Sequence, residues 1–197
     1  DSAGNVSGVS TNTQDITVDA TAPSSVTINS VVADRVLTNG GSTNDNTLVV
    51  SVSATDATDV SRVEIYNGSD LLGEASYNDT NAAWEFTTTA LADGPHSLTA
   101  KAYDAAGNAA TSAAFAVTVD TQLPDAPIFS LATDSGNAGD GVTDTGTVNV
   151  SGLEASATWQ FDIGNGWVSG SGTSFTLPEG RYPEGVIKVR QTDSAGN

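Results

Sequence analysis

Apolar residues along the 197-residue chain come in short alternating runs broken by Gly, Asn, Asp and Ser. Between Pro23 and Asp120 the pattern predicts strands at about 25–33, 47–55, 62–67, 71–77, 83–89, 96–103 and 110–119. Val63 and Ile65 alternate with polar neighbours, and Leu98, Ala100 and Ala102 do the same, so one face of each strand is turned inward. Asn67-Gly68 and Asp93-Gly94-Pro95 supply turn chemistry between strands. After Pro127 the same reading predicts strands at 128–132, 147–152, 158–163, 172–177 and 185–192.

A repeat organises these segments. Asp1-Ser-Ala-Gly-Asn5 recurs as Asp104-Ala-Ala-Gly-Asn108 and as Asp193-Ser-Ala-Gly-Asn197. The first two copies lead into β-type runs that end in Ile16-Thr-Val-Asp19 and Val117-Thr-Val-Asp120, each followed by a proline, Pro23 or Pro124. Seven short strands in about 100 residues are the mark of an immunoglobulin-like sandwich. With no cysteine, it is not the disulfide-pinned kind. The expected fold class is therefore all-β, with tandem immunoglobulin-like β-sandwich domains. Residues 1–20 read as the final strand of a preceding repeat, 21–120 as a complete domain, and 121–197 as a second domain lacking its last strand.

Charge sharpens the picture. There are 24 acidic residues against six basic ones, a formal net charge of −18, which sets the chain against nucleic acid and anionic membrane surfaces. No apolar run approaches the ~20 residues of a spanning helix. Of the acids, 18 are Asp and six are Glu. Asp favours turns and is also a common calcium ligand.

The motifs resemble the bacterial Ig-like repeats of giant calcium-dependent surface adhesins secreted by type I systems (RTX-type adhesins). The resemblance rests on Asp-x-Ala-Gly-Asn, Val-Asp-x-x-x-Pro and Gly41-Ser-Thr-Asn-Asp45-Asn-Thr in the first unit. In the second it rests on Thr133-Asp-Ser-Gly…Asp140-Gly-Val-Thr, Leu153-Glu-Ala-Ser-Ala-Thr-Trp159 and Val189-Arg-Gln-Thr-Asp193. It implies extender repeats stacked end to end, with calcium where domains meet, on an extracellular bacterial surface that supports adhesion and biofilm formation. One departure is Asp34-Arg35, where the family tends to place a small polar or acidic residue; it leaves the number of ions at that junction open.

The residues themselves argue toward the same chemistry. Calcium takes 6–8 oxygen ligands, more than one loop commonly supplies, and a domain junction can gather them from several segments. The expected set at the junction ahead of the first complete domain is Asp1, Asn5, Asp19, Asp34, Asn44 and Asp45. At the central junction it is Asp104, Asn108, Asp120, Asp134 and Asp140. Asp56/Asp59 and Asp70/Asp79 lack a second converging segment and read as solvated loops. The competing explanation of Asp-x-x-Gly-Asn is turn chemistry alone.

Other chemistry is thin. His96 is the lone histidine and, without cysteine, makes neither a zinc site nor a nucleophilic one. Glu64, Glu74 and Glu85 fall on separate strands, and solvent-facing positions explain them. Trp84 and Trp159 alternate with Phe86 and Phe161, which favours core packing, whereas Trp167 is the candidate for ligand contact. The sequence thus points to a calcium-binding spacer and not an enzyme, with neighbouring repeats of the same chain as partners. The alternatives are an adhesive module that recognises glycan or protein, and an accessory domain of a secreted carbohydrate-active enzyme. Residues 6–18 and the unfinished second unit also suggest head-to-tail strand exchange between copies.

Overall fold

The computed structural model describes residues 2–4, 6–57 and 59–197. Among the described residues every element is a strand, and no helix is long and apolar enough to cross a membrane. In the first unit these are β1 (Ser25–Val32), β2 (Gly41–Thr43), β3 (Val49–Thr55), β4 (Val60–Asn67), β5 (Asp70–Asn78), β6 (Ala83–Thr87), β7 (Gly94–Asp104), β8 (Ala109–Thr111) and β9 (Phe115–Val119). In the second they are β10 (Ile128–Leu131), β11 (Thr147–Ser151), β12 (Thr158–Asp162), β13 (Val168–Ser169), β14 (Ser174–Thr176) and β15 (Lys188–Thr192).

The strand order in the first unit is β1-β3-β6-β5-β4-β7-β9-β2, with β8 also on β7. The path folds into two layers at β5. Its first half pairs with β4, and Ser76–Asn78 pair with β6. A strand that changes sheets makes the corner of a sandwich. Gly73 lies on this corner strand because a Cβ there would stand 2.6 Å from the Phe86 ring. Between the layers lie Val31, Val50 and Val52 from one sheet and Val63, Ile65, Leu98, Ala100, Val117 and Val119 from the other, all buried. Fully burying such side chains contributes on the order of 1.5–3 kcal/mol each, and this core sets the register.

Two strand features differ from the sequence reading. The single strand expected at 110–119 is split into β8 and β9 by a one-residue slip in pairing against β7. The cause is Ser112, whose hydroxyl accepts the Ala100 N–H at 3.0 Å and donates to the Ala113 carbonyl at 2.8 Å. The short β2 was not expected. It runs parallel to β9, Gly41 opposite Val117 through Thr43 opposite Val119, and too few residues are paired for periodicity to reveal it.

The second unit holds two three-stranded sheets, β10-β11-β14 and β13-β12-β15. Its core is Val148, Val150, Trp159 and Phe175, with Phe161 stacked on Phe175 at 4.3 Å and 14°. A Cβ on Gly170 would enter the Trp159 ring, and the Trp159 Nε1–H donates to the Gly172 carbonyl at 2.9 Å. Among the described residues nothing pairs with the second edge of β15, whereas β7 has β8 and β9 there.

Residues 6–22 contain no strand, contrary to the expectation for 6–18. Val6, Val9, Ile16 and Val18 are all exposed. A strand's backbone groups need a neighbouring strand to bond with, and no described strand pairs with this segment.

Candidate metal centre

The Asp-x-x-Gly-Asn loop forms in the same way twice. The Asn108 N–H donates to Asp104 Oδ1 at 2.9 Å and its side-chain amide to Oδ2 at 2.8 Å, while the Asp104 N–H donates to the Asn108 carbonyl. In the second unit Asp193 Oδ1 accepts the N–H groups of Ala195, Gly196 and Asn197, and Oδ2 accepts the Asn197 amide at 2.9 Å. Gly107 (φ 92°) and Gly196 (φ 105°) hold the left-handed conformation that closes each loop. Turn chemistry therefore explains much of the motif. At Asp193 burial raises the carboxyl pKa, but the donors from Asn197, Gly196 and Ala195 together hold it below the ordinary range.

Each loop also grips a linker. Asn108 donates through its side-chain amide to the Asp19 carbonyl at 3.2 Å, and Asn197 donates to the Asp120 carbonyl at 2.7 Å. This fixes the end of the unit at which the loop sits: the one where the chain enters. Asp104 accordingly meets Asp19. Asp120 lies at the opposite end of β7, because Gly94 pairs with Val119. Eleven residues of strand separate the two ends, about 33 Å at ~3.3 Å per residue.

The ligand sets expected from the sequence regroup accordingly. Carboxylate oxygens of Asp19, Asp56 and Asp104 lie within 4.8 Å of one another, the one such group of three among the described residues. Asp19 comes from the linker, Asp56 from the β3–β4 loop and Asp104 from the end of β7. Asp104 is buried and the other two are half-buried. Asp56, expected from the sequence in a solvated loop, is instead half-buried beside Asp19 and Asp104. The β3–β4 loop opens at the entry end, beside β7's last residue, since Val60 pairs with Asp104. Asp59, in the same loop, caps the Val60 N–H instead.

Asp34, Asn44 and Asp45 lie at the exit end of the first unit and do not join Asp19. The Asn44 N–H donates to the Ala195 carbonyl at 3.1 Å, Asp34 is paired with Arg35 at 3.1 Å, and Asp45 Oδ1 caps the Thr47 N–H. Asp134 and Asp140 occupy the corresponding β10–β11 loop of the second unit, away from Asp120. Asp134 Oδ2 accepts the Gly139 N–H at 2.6 Å, Asp140 Oδ1 accepts that of Val142, and Asp134 Oδ1 is buried with no hydrogen-bond partner. Asp1 and Asn5 lie outside the described residues.

The group Asp19, Asp56 and Asp104 suits a hard cation. Two ligands on opposite sides of calcium stand about 4.8 Å apart, given its ligand distances of roughly 2.3–2.6 Å. All three donors are carboxylate oxygens, with no nitrogen or sulfur to favour a softer metal.

The remaining candidates have structural settings. His96 is half-buried, its Nδ1 2.9 Å from Asn67 Nδ2 and its Nε2 2.8 Å from the Ala92 carbonyl. Trp84 packs against the first core and Trp159 is buried in the second. Trp167 is 39% exposed, but the Arg190 guanidinium lies 4.1 Å over its ring, so that face is taken. On the outer face of β4, Glu64 accepts from Tyr66 and Arg62. The Tyr66 bond is the main reason its pKa falls below the usual range.

The chain is similar to fibronectin(III)-like modules of Clostridium thermocellum CbhA, at 29% identity and a TM-score of 0.39, over 50% of this chain and 99% of that one. No curated protein matches it. Residues 24–121 match the family model of the bacterial Ig-like domain. Together with the two-layer strand order and the parallel β2–β9 edge, that match identifies the first unit as a bacterial Ig-like domain.

Proposed function

We propose that the chain is a spacer segment of a large bacterial surface adhesin, built of tandem Ig-like units and stiffened by calcium at the junctions between them. The observation that carries this reading is the meeting of Asp19, Asp56 and Asp104 from three separate segments at the entry end of the first sandwich. Like charges so close repel by on the order of 3 kcal/mol per pair at an effective dielectric of ~20, less where water reaches them. A dication at that point turns repulsion into attraction and ties the linker to the domain. Without it the linker bends; with it the linker and sandwich move as one body. A series of such units makes a long, calcium-gated stalk outside the cell, with neighbouring units of the same chain as its partners and no reaction to catalyse.

The deciding experiment is a thermal melt in EDTA, in millimolar calcium and in millimolar magnesium. A ligand that binds only the folded state adds roughly 2.7 kcal/mol at 100 times its Kd. A rise in midpoint with calcium, smaller with magnesium and lost in Asp56→Asn, is the expected result. An unchanged midpoint overturns the calcium reading and leaves the carboxylates to turn and loop structure.

A further inference from the structure

Ala106 and Ala195 hold the same place in the two Asp-x-Ala-Gly-Asn loops, yet Ala106 is exposed and Ala195 is fully buried. The difference is that the second loop is seated against the exit end of the first unit. There the Ala195 carbonyl accepts the Asn44 N–H at 3.1 Å and Arg35 Nη2 at 3.5 Å. The same Nη2 donates to the Ser42 carbonyl at 2.7 Å, and Nη1 reaches both oxygens of Asp34 at 3.1 and 3.2 Å. Gly196 fits alongside: a Cβ on it would stand 3.7 Å from the Asn44 amide and 3.8 Å from Arg35 Nη1.

The chemistry at this point is that of a cation site. One carboxylate and two backbone carbonyls, drawn from both units, converge on a single positive group in a chain with only six basic residues. Oxygens of these kinds are what a hard divalent ion takes. Here the charge is covalently attached. A guanidinium is always protonated and presents its N–H donors in a rigid fork, so it can bridge several acceptors at once where a lysine ammonium acts as a point charge. The linker contact between Asn197 and Asp120 adds a second uncharged tie across the same junction.

We infer that Arg35 is a tethered cation that clamps the two units together, so that this junction keeps its geometry without metal. The inference deepens the spacer reading above. It narrows that reading at one point: the entry end of the first unit, with its three carboxylates, answers to calcium, and the central junction is the exception, held by Arg35 instead. A stalk with such a junction has segments that stay straight when calcium falls and hinges that loosen.

The chain has no cysteine, so Thr80→Cys and Asn165→Cys, both at exposed positions, one in each unit, give a clean pair for spin labels. Distance distributions are then measured by electron–electron resonance in EDTA for this pair alone and with Arg35→Ala added. The expected result is a narrow distribution in EDTA that calcium leaves unchanged, lost when Arg35 is removed. A distribution already broad in EDTA, or one that stays narrow in Arg35→Ala, overturns the clamp. Arg35 stands in an exposed loop, and the melting of the first unit checks that its fold is intact. Calcium titration of the same variant separates the two readings. Binding at Asp19, Asp56 and Asp104 persists if only the clamp is wrong, and it is missing in both proteins if the calcium reading itself fails.

Discussion

The side-chain amide of Asn108 donates to the backbone carbonyl of Asp19 across 89 positions of sequence. That bond, with its counterpart from Asn197 to Asp120, places the repeated loop at the entrance of its own domain. It thereby decides which acids are neighbours. Asp104 is expected to serve two roles at once, closing the loop through Asn108 and facing the carboxylates of Asp19 and Asp56.

The two roles separate by mutation. Asp104→Ala takes the acceptor from the half-buried Asn108 N–H and one of two from its side-chain amide, and is expected to cost about 1–3 kcal/mol even in EDTA. Asp56→Asn keeps size and polarity, so it should melt close to wild type in EDTA and lose the calcium-dependent rise. Paired melts of the two variants check this.

The second core tests differently. Gly170→Ala places a methyl group in the Trp159 ring and is expected to destabilise the second unit by about 1–3 kcal/mol while leaving the first unaffected. Tryptophan emission during urea unfolding should show an earlier transition for the second unit alone.

Acid should act through three carboxylates. Asp193, Asp162 and Glu64 have carboxyl pKa values lowered in the folded state. For Asp162 the main cause is the Gly164 N–H, and for Glu64 it is Tyr66. A lowered folded pKa gives stability that is fully present above the unfolded value, about 3.9 for Asp and 4.3 for Glu. That stability is lost as pH falls through the folded one. Melting midpoints should therefore be flat near neutrality and drop below about pH 4. Asn197→Ala should move the Asp193 titration upward, as carboxyl NMR shifts would show.

The alternation of Val63 and Ile65, and of Leu98, Ala100 and Ala102, was enough to show the strands and their inward face, because side chains in a strand alternate sides whatever the partner. The repeated Asp-x-Ala-Gly-Asn was legible for a similar reason, since its hydrogen bonds close within five residues. Which carboxylates meet was not legible. Asp56 carries no local signal, and its nearness to Asp19 and Asp104 exists because β3 and β7 end, and β4 begins, at the same side of the sandwich. The split of 110–119 by Ser112, the parallel strand β2 and the reach of Arg35 to Ala195 are likewise products of chain crossing, with partners 12 to 160 positions apart. Periodicity within a segment set the strands, and the meeting of distant segments set the site.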